Sequence, residues 1–294
     1  MVLKQRSLQA PGFYRISVGA LDVTVINDGW FALNPGEFSG DAATARRLLD
    51  AAYLPTDIIK TSTNAWLINT GDKFILVDAG DSSALLPDAG RVVSNLSAAG
   101  IDAAVIDMVI LTHMHPDHVG GLLTADGEPA FPNATVHVNE VELDFWTSDA
   151  IDRTLPERLR VVADAARAAI KPYAARLRTF RDGAELAAGI VAAAAPGHTV
   201  GHTMLLLSSE GHDLLISGDL VHNAALQFAE PDRCPPYDAD AVLAAATRRR
   251  VLDMAATDRL LIAGSHLAFP GLGHVGRTTS GYAYVPAPWS ADPD

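Results

Sequence analysis

Three imidazoles and a carboxylate fall within six residues in the segment Leu111-Thr-His113-Met-His115-Pro-Asp117-His118-Val-Gly120-Gly121. An apolar run precedes the group and a glycine pair follows it, so these side chains emerge at the edge of a sheet. Residues two apart in extended backbone point the same way, which lets His113 and His115 converge on one ion. Pro116 confines His115 to the β or polyproline region and helps hold that geometry. Asp117 and His118 then turn toward a neighbouring position. A set this rich in nitrogen suits zinc, iron, cobalt or manganese rather than magnesium or calcium. The plain alternative is a solvated loop with clustered histidines, and four ligand-type side chains in six residues argue against it.

Three more such residues follow apolar runs: His198 in Pro196-Gly197-His198-Thr199, Asp219 in Ser217-Gly218-Asp219-Leu220, and His266 in Gly264-Ser265-His266. Seven residues from four strand ends point to a two-metal site. One ion would take His113, His115 and His198. The other would take Asp117, His118 and His266, with Asp219 giving one oxygen to each. Considered alone, His198 or His266 is an ordinary loop histidine; its place beyond a strand is what raises it. His137, His202, His212, His222 and His274 read as structural or surface residues, with His202 and His222 near enough to ligands to support them.

The elements that must position these residues alternate between strand and helix. Tyr14–Val18 and Leu21–Ile26 suit a hairpin ending near Asn27-Asp28-Gly29. Phe74-Ile-Leu-Val is continuously apolar, as in a strand covered on both faces. Helices are expected at 41–53, 85–99, 140–147, 156–175 and 239–255, the second ending at Gly100. Strands are expected near 105–111, 135–138, 190–194, 203–208, 213–217 and 259–263. This rhythm predicts an α/β protein, two sheets between helices, as one domain over residues 1–294. The glycines of Gly271-Leu-Gly273-His-Val-Gly276 match a dinucleotide fingerprint on paper, but too little chain follows for a βαβ unit. A tight loop near the metal edge is the better expectation.

Composition narrows the function. A formal charge of −13 across 294 residues argues against a nucleic-acid partner and against docking on anionic lipid. Cys234 is the single cysteine, so any metal is held by nitrogen and oxygen. No G-x-S-x-G elbow marks a serine hydrolase. No apolar window approaches a membrane span, and no apolar h-region follows Lys4 and Arg6. The expectation is a soluble protein, cytoplasmic as given, or periplasmic or secreted if a leader was trimmed.

The His113-x-His115-x-Asp117-His118 run, with His198, Asp219 and His266 at these separations, resembles the metallo-β-lactamase superfamily. The likeness sharpens in Leu54-Pro55-Thr56-Asp57, Phe131-Pro132-Asn133-Ala134, Gly218-Asp219-Leu220 with Ala225-x-Gln227-Phe228, and Phe269-Pro270-Gly271-Leu272-Gly273-His274. Those segments resemble the methyl parathion hydrolase branch, whose members cleave organophosphate triesters, aryl esters and lactones. The resemblance implies a four-layer αββα sandwich and a homodimer. It also implies two divalent ions per chain, Zn2+ first with Mn2+, Co2+ or Fe2+ as alternatives, sharing a hydroxide as nucleophile. Asp117 is a candidate to pass a proton to the leaving group. Phe131, Trp146, Phe228 and Phe269 are candidates for an apolar substrate pocket. Phosphotriester-splitting relatives carry an aromatic ring in the loop where this chain has Leu85 and Leu86. That departure favours a small-molecule lactone or aryl ester over a phosphotriester. The rivals are another branch of the superfamily, a β-lactamase, thioesterase or nuclease, and a silent metal-binding scaffold.

Overall fold

The computed structural model describes residues 9–82, 86, 88–149, 151 and 157–293, with side chains omitted for 157–159. Two seven-stranded sheets face each other. The first runs in chain order through β1 (Phe13–Val18), β2 (Leu21–Leu33), β3 (Ile59–Asn69), β4 (Phe74–Val77), β5 (Met108–Ile110), β6 (Thr135–Asn139) and β7 (Leu177–Phe180). Its pairs are antiparallel as far as β4 and parallel from β4 to β7. The second comprises β8 (Glu185–Ala187), β9 (Ile190–Ala194), β10 (Thr203–Ser209), β11 (His212–Ile216), β12 (Leu261–Ala263), β13 (Leu272–Arg277) and β14 (Tyr282–Pro286). Only β11 and β12 pair in parallel there.

Alternation along the strands builds the layers. Ile75 and Val77 of β4 join Val23, Val25, Ile110, Leu205 and Ile216 in the core between the sheets. Leu76, between them, points outward into a second core under the helices. That outer core includes Leu96 of a helix at Val92–Ala98 and Ala163 and Ala166 of a helix at Glu157–Ile170. The helix at Ala241–Asp258 covers the other sheet through Val251, Leu252 and Ala255, packed with Leu215 and Ile262. The four-layer αββα sandwich expected from the sequence is therefore what the chain forms. Among the described residues, no helix is long and apolar enough to cross a membrane.

Three local expectations need correction. The β1–β2 hairpin forms and its pairing ends at Phe13 and Ile26, as expected, but the second strand does not stop at Asn27-Asp28-Gly29: β2 continues to Leu33 beside β3, with a register shift between Asn27 and Gly29. Buried Asp28 instead accepts the backbone N–H groups of Asp81, Gly90, Arg91 and Val92 at 2.7–3.1 Å. This claims the donors that open the second helix, so it spans Val92–Ala98 rather than 85–99, while 83–85 and 87 lie outside the described residues. Of the glycines after Pro270, Gly271 sits in a turn at φ 71°, whereas Gly273 and Gly276 belong to β13 rather than to a loop: a Cβ on Gly273 would sit 2.5 Å from the Tyr284 ring. The strands β7 and β8, short and weakly apolar, had no clear signature in the sequence.

Candidate metal centre

The turn after β5 carries His113 and His115, and Pro116 starts a single helical turn, Pro116–Val119, that aims Asp117 and His118 elsewhere. His198 follows β9, Asp219 follows β11 and His266 follows β12. The side chains meet at one end of the sandwich. His113 Nε2, His115 Nδ1 and His198 Nε2 lie 2.9–3.2 Å from one another. Asp219 Oδ2 is 3.3 Å from His198 Nε2 and 2.9 Å from His266 Nε2. His118 Nε2 lies 3.1 Å from Asp219 Oδ1 and 3.6 Å from Asp117 Oδ2, which is 3.4 Å from His266 Nε2. The result is two groups, His113–His115–His198–Asp219 and Asp117–His118–Asp219–His266, each with its ligand atoms within 4.8 Å.

The far side of each ring decides which nitrogen faces inward. His118 Nδ1 lies 2.7 Å from Asp78 Oδ2, His198 Nδ1 lies 2.8 Å from Asp238 Oδ1, and His266 Nδ1 lies 3.0 Å from the Ser62 carbonyl. Thr112 Oγ1 donates to Asp78 at 2.8 Å and so accepts from His113 Nδ1 at 3.1 Å. Four rings thus keep one proton on Nδ1 outside and turn Nε2 inward, where it offers a lone pair once any second proton has left. Buried His118 Nε2 and Asp219 Oδ1 have no hydrogen-bond partner among the described residues. Converging lone pairs and two carboxylates fit cations, and only imidazole and carboxylate supply them.

Electrostatics agree. Burial and the neighbouring rings push His113 and His115 well below the ordinary histidine range. Burial alone would raise Asp219, but His118, His266 and His113 outweigh it and hold the carboxyl far below its usual range. Burial opposes charge on His198, yet its bonds to Asp219 and Asp238 bring it up to about 9. Protons would therefore compete with any cation for the same positions.

Supporting residues surround the two groups. Asp78 adopts φ 60°, in the left-handed region, where its carboxylate reaches Thr112 N, Thr112 Oγ1 and His118. Arg248, buried, lies 3.4 Å from Asp238 Oδ2 behind His198. His202 Nε2 accepts the Asp219 N–H at 3.0 Å, and burial drives His202 down to about 3. A Cβ on Gly218 would lie 2.5 Å from that nitrogen, so the tight turn before Asp219 needs glycine. His222 Nε2 sits 3.1 Å from Asp219 Oδ2 and its ring stacks on His266. Asp78, Asp238 and Arg248 had no signature in the sequence, because a lone residue at a strand end, in a loop or in a helix carries no spacing signal.

A cleft of about 460 Å³ opens onto the groups. Phe31, Leu86, Val161, Val162 and Ala165 give it an apolar wall, and Asp81, Asp117, Asp219, His222, Tyr237 and His266 a polar end. Of the expected pocket residues, Leu86 lines it and Leu85 lies outside the described residues. Phe131 and Phe228 do not line it, being packed into the two outer cores. Trp146 is buried too, its ring edge-on to His115 at 5.7 Å. Phe269 is 37% exposed and lies outside the cleft lining. The large rings went to cores because burial of area, rather than substrate contact, is the usual fate of an aromatic side chain. Tyr237, not singled out from sequence, has a buried hydroxyl with no hydrogen-bond partner among the described residues.

The sequence profile of the metallo-beta-lactamase superfamily matches residues 58–266. The solved hydrolase AbOPH, of the beta-lactamase superfamily, is 32% identical, with a TM-score of 0.91 over 96% of this chain and 100% of that one. AidC, a dizinc quorum-quenching lactonase solved with the product N-hexanoyl-L-homoserine, is 29% identical, with a TM-score of 0.88 over 95% of this chain and 98% of that one. The Beta-lactamase-like protein 2 homolog of Caenorhabditis elegans is 30% identical over 190 residues, 64% of this chain and 53% of that protein. The chain spans about half the length of the curated relatives it first matches.

Proposed function

Because the chain belongs to the metallo-β-lactamase superfamily, we propose that it is a hydrolase that binds two divalent cations, zinc foremost, and opens lactones and aryl esters. The observation that carries this reading is the convergence of the seven side chains on two adjoining groups that share Asp219. Cations held there would activate water and polarise the bond under attack.

The chain's own residues supply the rest. Asp78, Thr112, Asp238 and the Ser62 carbonyl keep the ring protons away from the centre. Asp117 lines the cleft, and against the effect of burial His118 and His266 hold it ionised, so it would take the proton given up by the attacking water and pass that proton to the leaving oxygen. Burial pushes the Tyr237 phenol far above its ordinary range, so it remains a donor for a substrate oxygen. The wall of Phe31, Leu86, Val161 and Val162 takes an acyl chain, at about 25 cal/mol per Å² buried. The likeness to the lactonase AidC over nearly the whole chain supports the choice of ester. A nucleic-acid substrate fits neither this wall nor a charge of −13.

The test is a hydrolysis panel on metal-reconstituted protein, spanning lactones, aryl esters, phosphotriesters and a β-lactam. We expect a lactone or aryl ester to give a higher kcat/KM than paraoxon. Leu86→Phe, which adds a stacking face for a nitrophenyl group, should raise paraoxon turnover by up to about tenfold. A β-lactam as the best substrate, or no hydrolysis of any ester, would overturn the reading.

A further inference from the structure

We propose that Glu142 is a positioning residue that sets the spacing of the two loops carrying His113, His115 and His198; the inference rests on the two-cation reading above. Glu142 lies in the helix Glu140–Thr147 and is fully buried, with none of its surface exposed. Its Oε1 accepts the Met114 backbone N–H at 3.0 Å and the Trp146 indole N–H at 2.7 Å. Its Oε2 accepts the Thr199 hydroxyl at 2.8 Å and the Gly201 backbone N–H at 2.8 Å. Met114 stands between His113 and His115, and Thr199 adjoins His198. One carboxylate therefore spans both loops, one oxygen to each.

The fit leaves no slack. A Cβ on Gly201 would lie 2.5 Å from the Glu142 backbone nitrogen, so the His198 loop rests directly on the helix. Trp146, held by the same carboxylate, sets its ring edge-on against His115. Glu142's partners lie beside the first group of histidines, not beside His118 or His266. A fully satisfied buried carboxylate of this kind fixes one arrangement, because every alternative strands a donor.

Glu142→Gln is the informative change. An amide presents one acceptor and one donor, so its NH2 must face N–H groups that cannot reverse, on one loop or the other. The experiment titrates Co2+ into metal-free wild type, Glu142→Gln, His198→Ala and His266→Ala, followed by visible absorption. In parallel, histidine ring resonances of the metal-free proteins are recorded by NMR. We expect Glu142→Gln to weaken the His198-dependent Co2+ by roughly tenfold or more and to leave the His266-dependent Co2+ unchanged. The His115 and His198 ring resonances should move while those of His266 stay. Thr199→Val, which removes one of the four donors, should shift the same signals less, and it decides the matter if Glu142→Gln does not fold. Wild-type binding with unmoved rings, or equal weakening of both ions, would overturn the proposal. If wild type takes up no Co2+, the two-cation reading fails, and the ring resonances still decide the role of Glu142.

Discussion

Asp219 receives more of the centre than any other side chain, facing rings from both groups through its two oxygens. Replacing it by Asn keeps the shape and removes the negative charge that two cations would share. Asp219→Asn should therefore weaken both ions by roughly tenfold or more, measured as metal content after dialysis against a weak chelator. Normal loading would remove Asp219 from the site. Asp81 offers a separate test at this scale. Burial, then the carboxylates of Asp117 and Asp28, raise its pKa from 3.8 to about 7, and its Oδ1 has no hydrogen-bond partner among the described residues. A raised carboxyl pKa means that folding favours the protonated form. The stability it contributes is complete below the unfolded value and is lost as pH rises through about 7. In chelator-treated protein, Asp81→Asn should gain melting temperature over wild type between pH 5 and pH 8. Parallel profiles for the two proteins would show that Asp81 is not the group responsible.

At the scale of elements, the clamp at Asp28 ties a bulge in β2 to the segment leading into the helix Val92–Ala98. That segment contains Leu86 of the cleft wall. Gly29 is required beside it, since at φ 139° its Cβ would lie 2.1 Å from the Asp88 carbonyl oxygen. Asp28→Ala leaves four buried or half-buried N–H groups without their acceptor. The expected loss is roughly 2–4 kcal/mol in urea unfolding. A loss within the scatter of surface substitutions would mean that water replaces the carboxylate, and that the clamp is not needed to hold the segment.

For the whole molecule, ions bound only by the folded chain stabilise it in proportion to their affinity. Two sites each held at a hundredfold excess over Kd would add roughly 5 kcal/mol. Chelation should therefore lower the melting temperature, and graded free Zn2+ should restore it. Acid should release the ions first, because protons occupy the same nitrogens and oxygens. A melting temperature indifferent to chelator would contradict two tightly held cations. The core between the sheets, which includes no residue of the two groups, should keep the apoprotein folded.

The seven candidate ligands and their division into two groups were legible in the sequence, because short-range spacing and position after apolar runs are local properties. The layered α/β plan was legible for the same reason: alternation and continuous apolar runs report which faces are covered. The bulge at Asp28, the strand through Gly273 and the clamp by Glu142 were not. Each depends on a partner far away in the chain: Asp81 and Val92 for Asp28, Tyr284 for Gly273, Met114 and Gly201 for Glu142. The cleft wall failed in the same way. Phe131, Trp146 and Phe228 have the composition of a pocket, but tertiary packing buried them, and Phe31, Val161 and Val162 line it instead. Ring protons, too, were decided by tertiary structure: Asp78 reaches His118 across neighbouring strand ends, Asp238 reaches His198 across forty residues of chain, and the Ser62 carbonyl meets His266 across the two sheets. Residue type and local spacing determine what chemistry the chain can hold. Long-range packing determines which side chains aim it and which meet a substrate, because a buried polar group takes its partners from whatever the fold brings within hydrogen-bond reach.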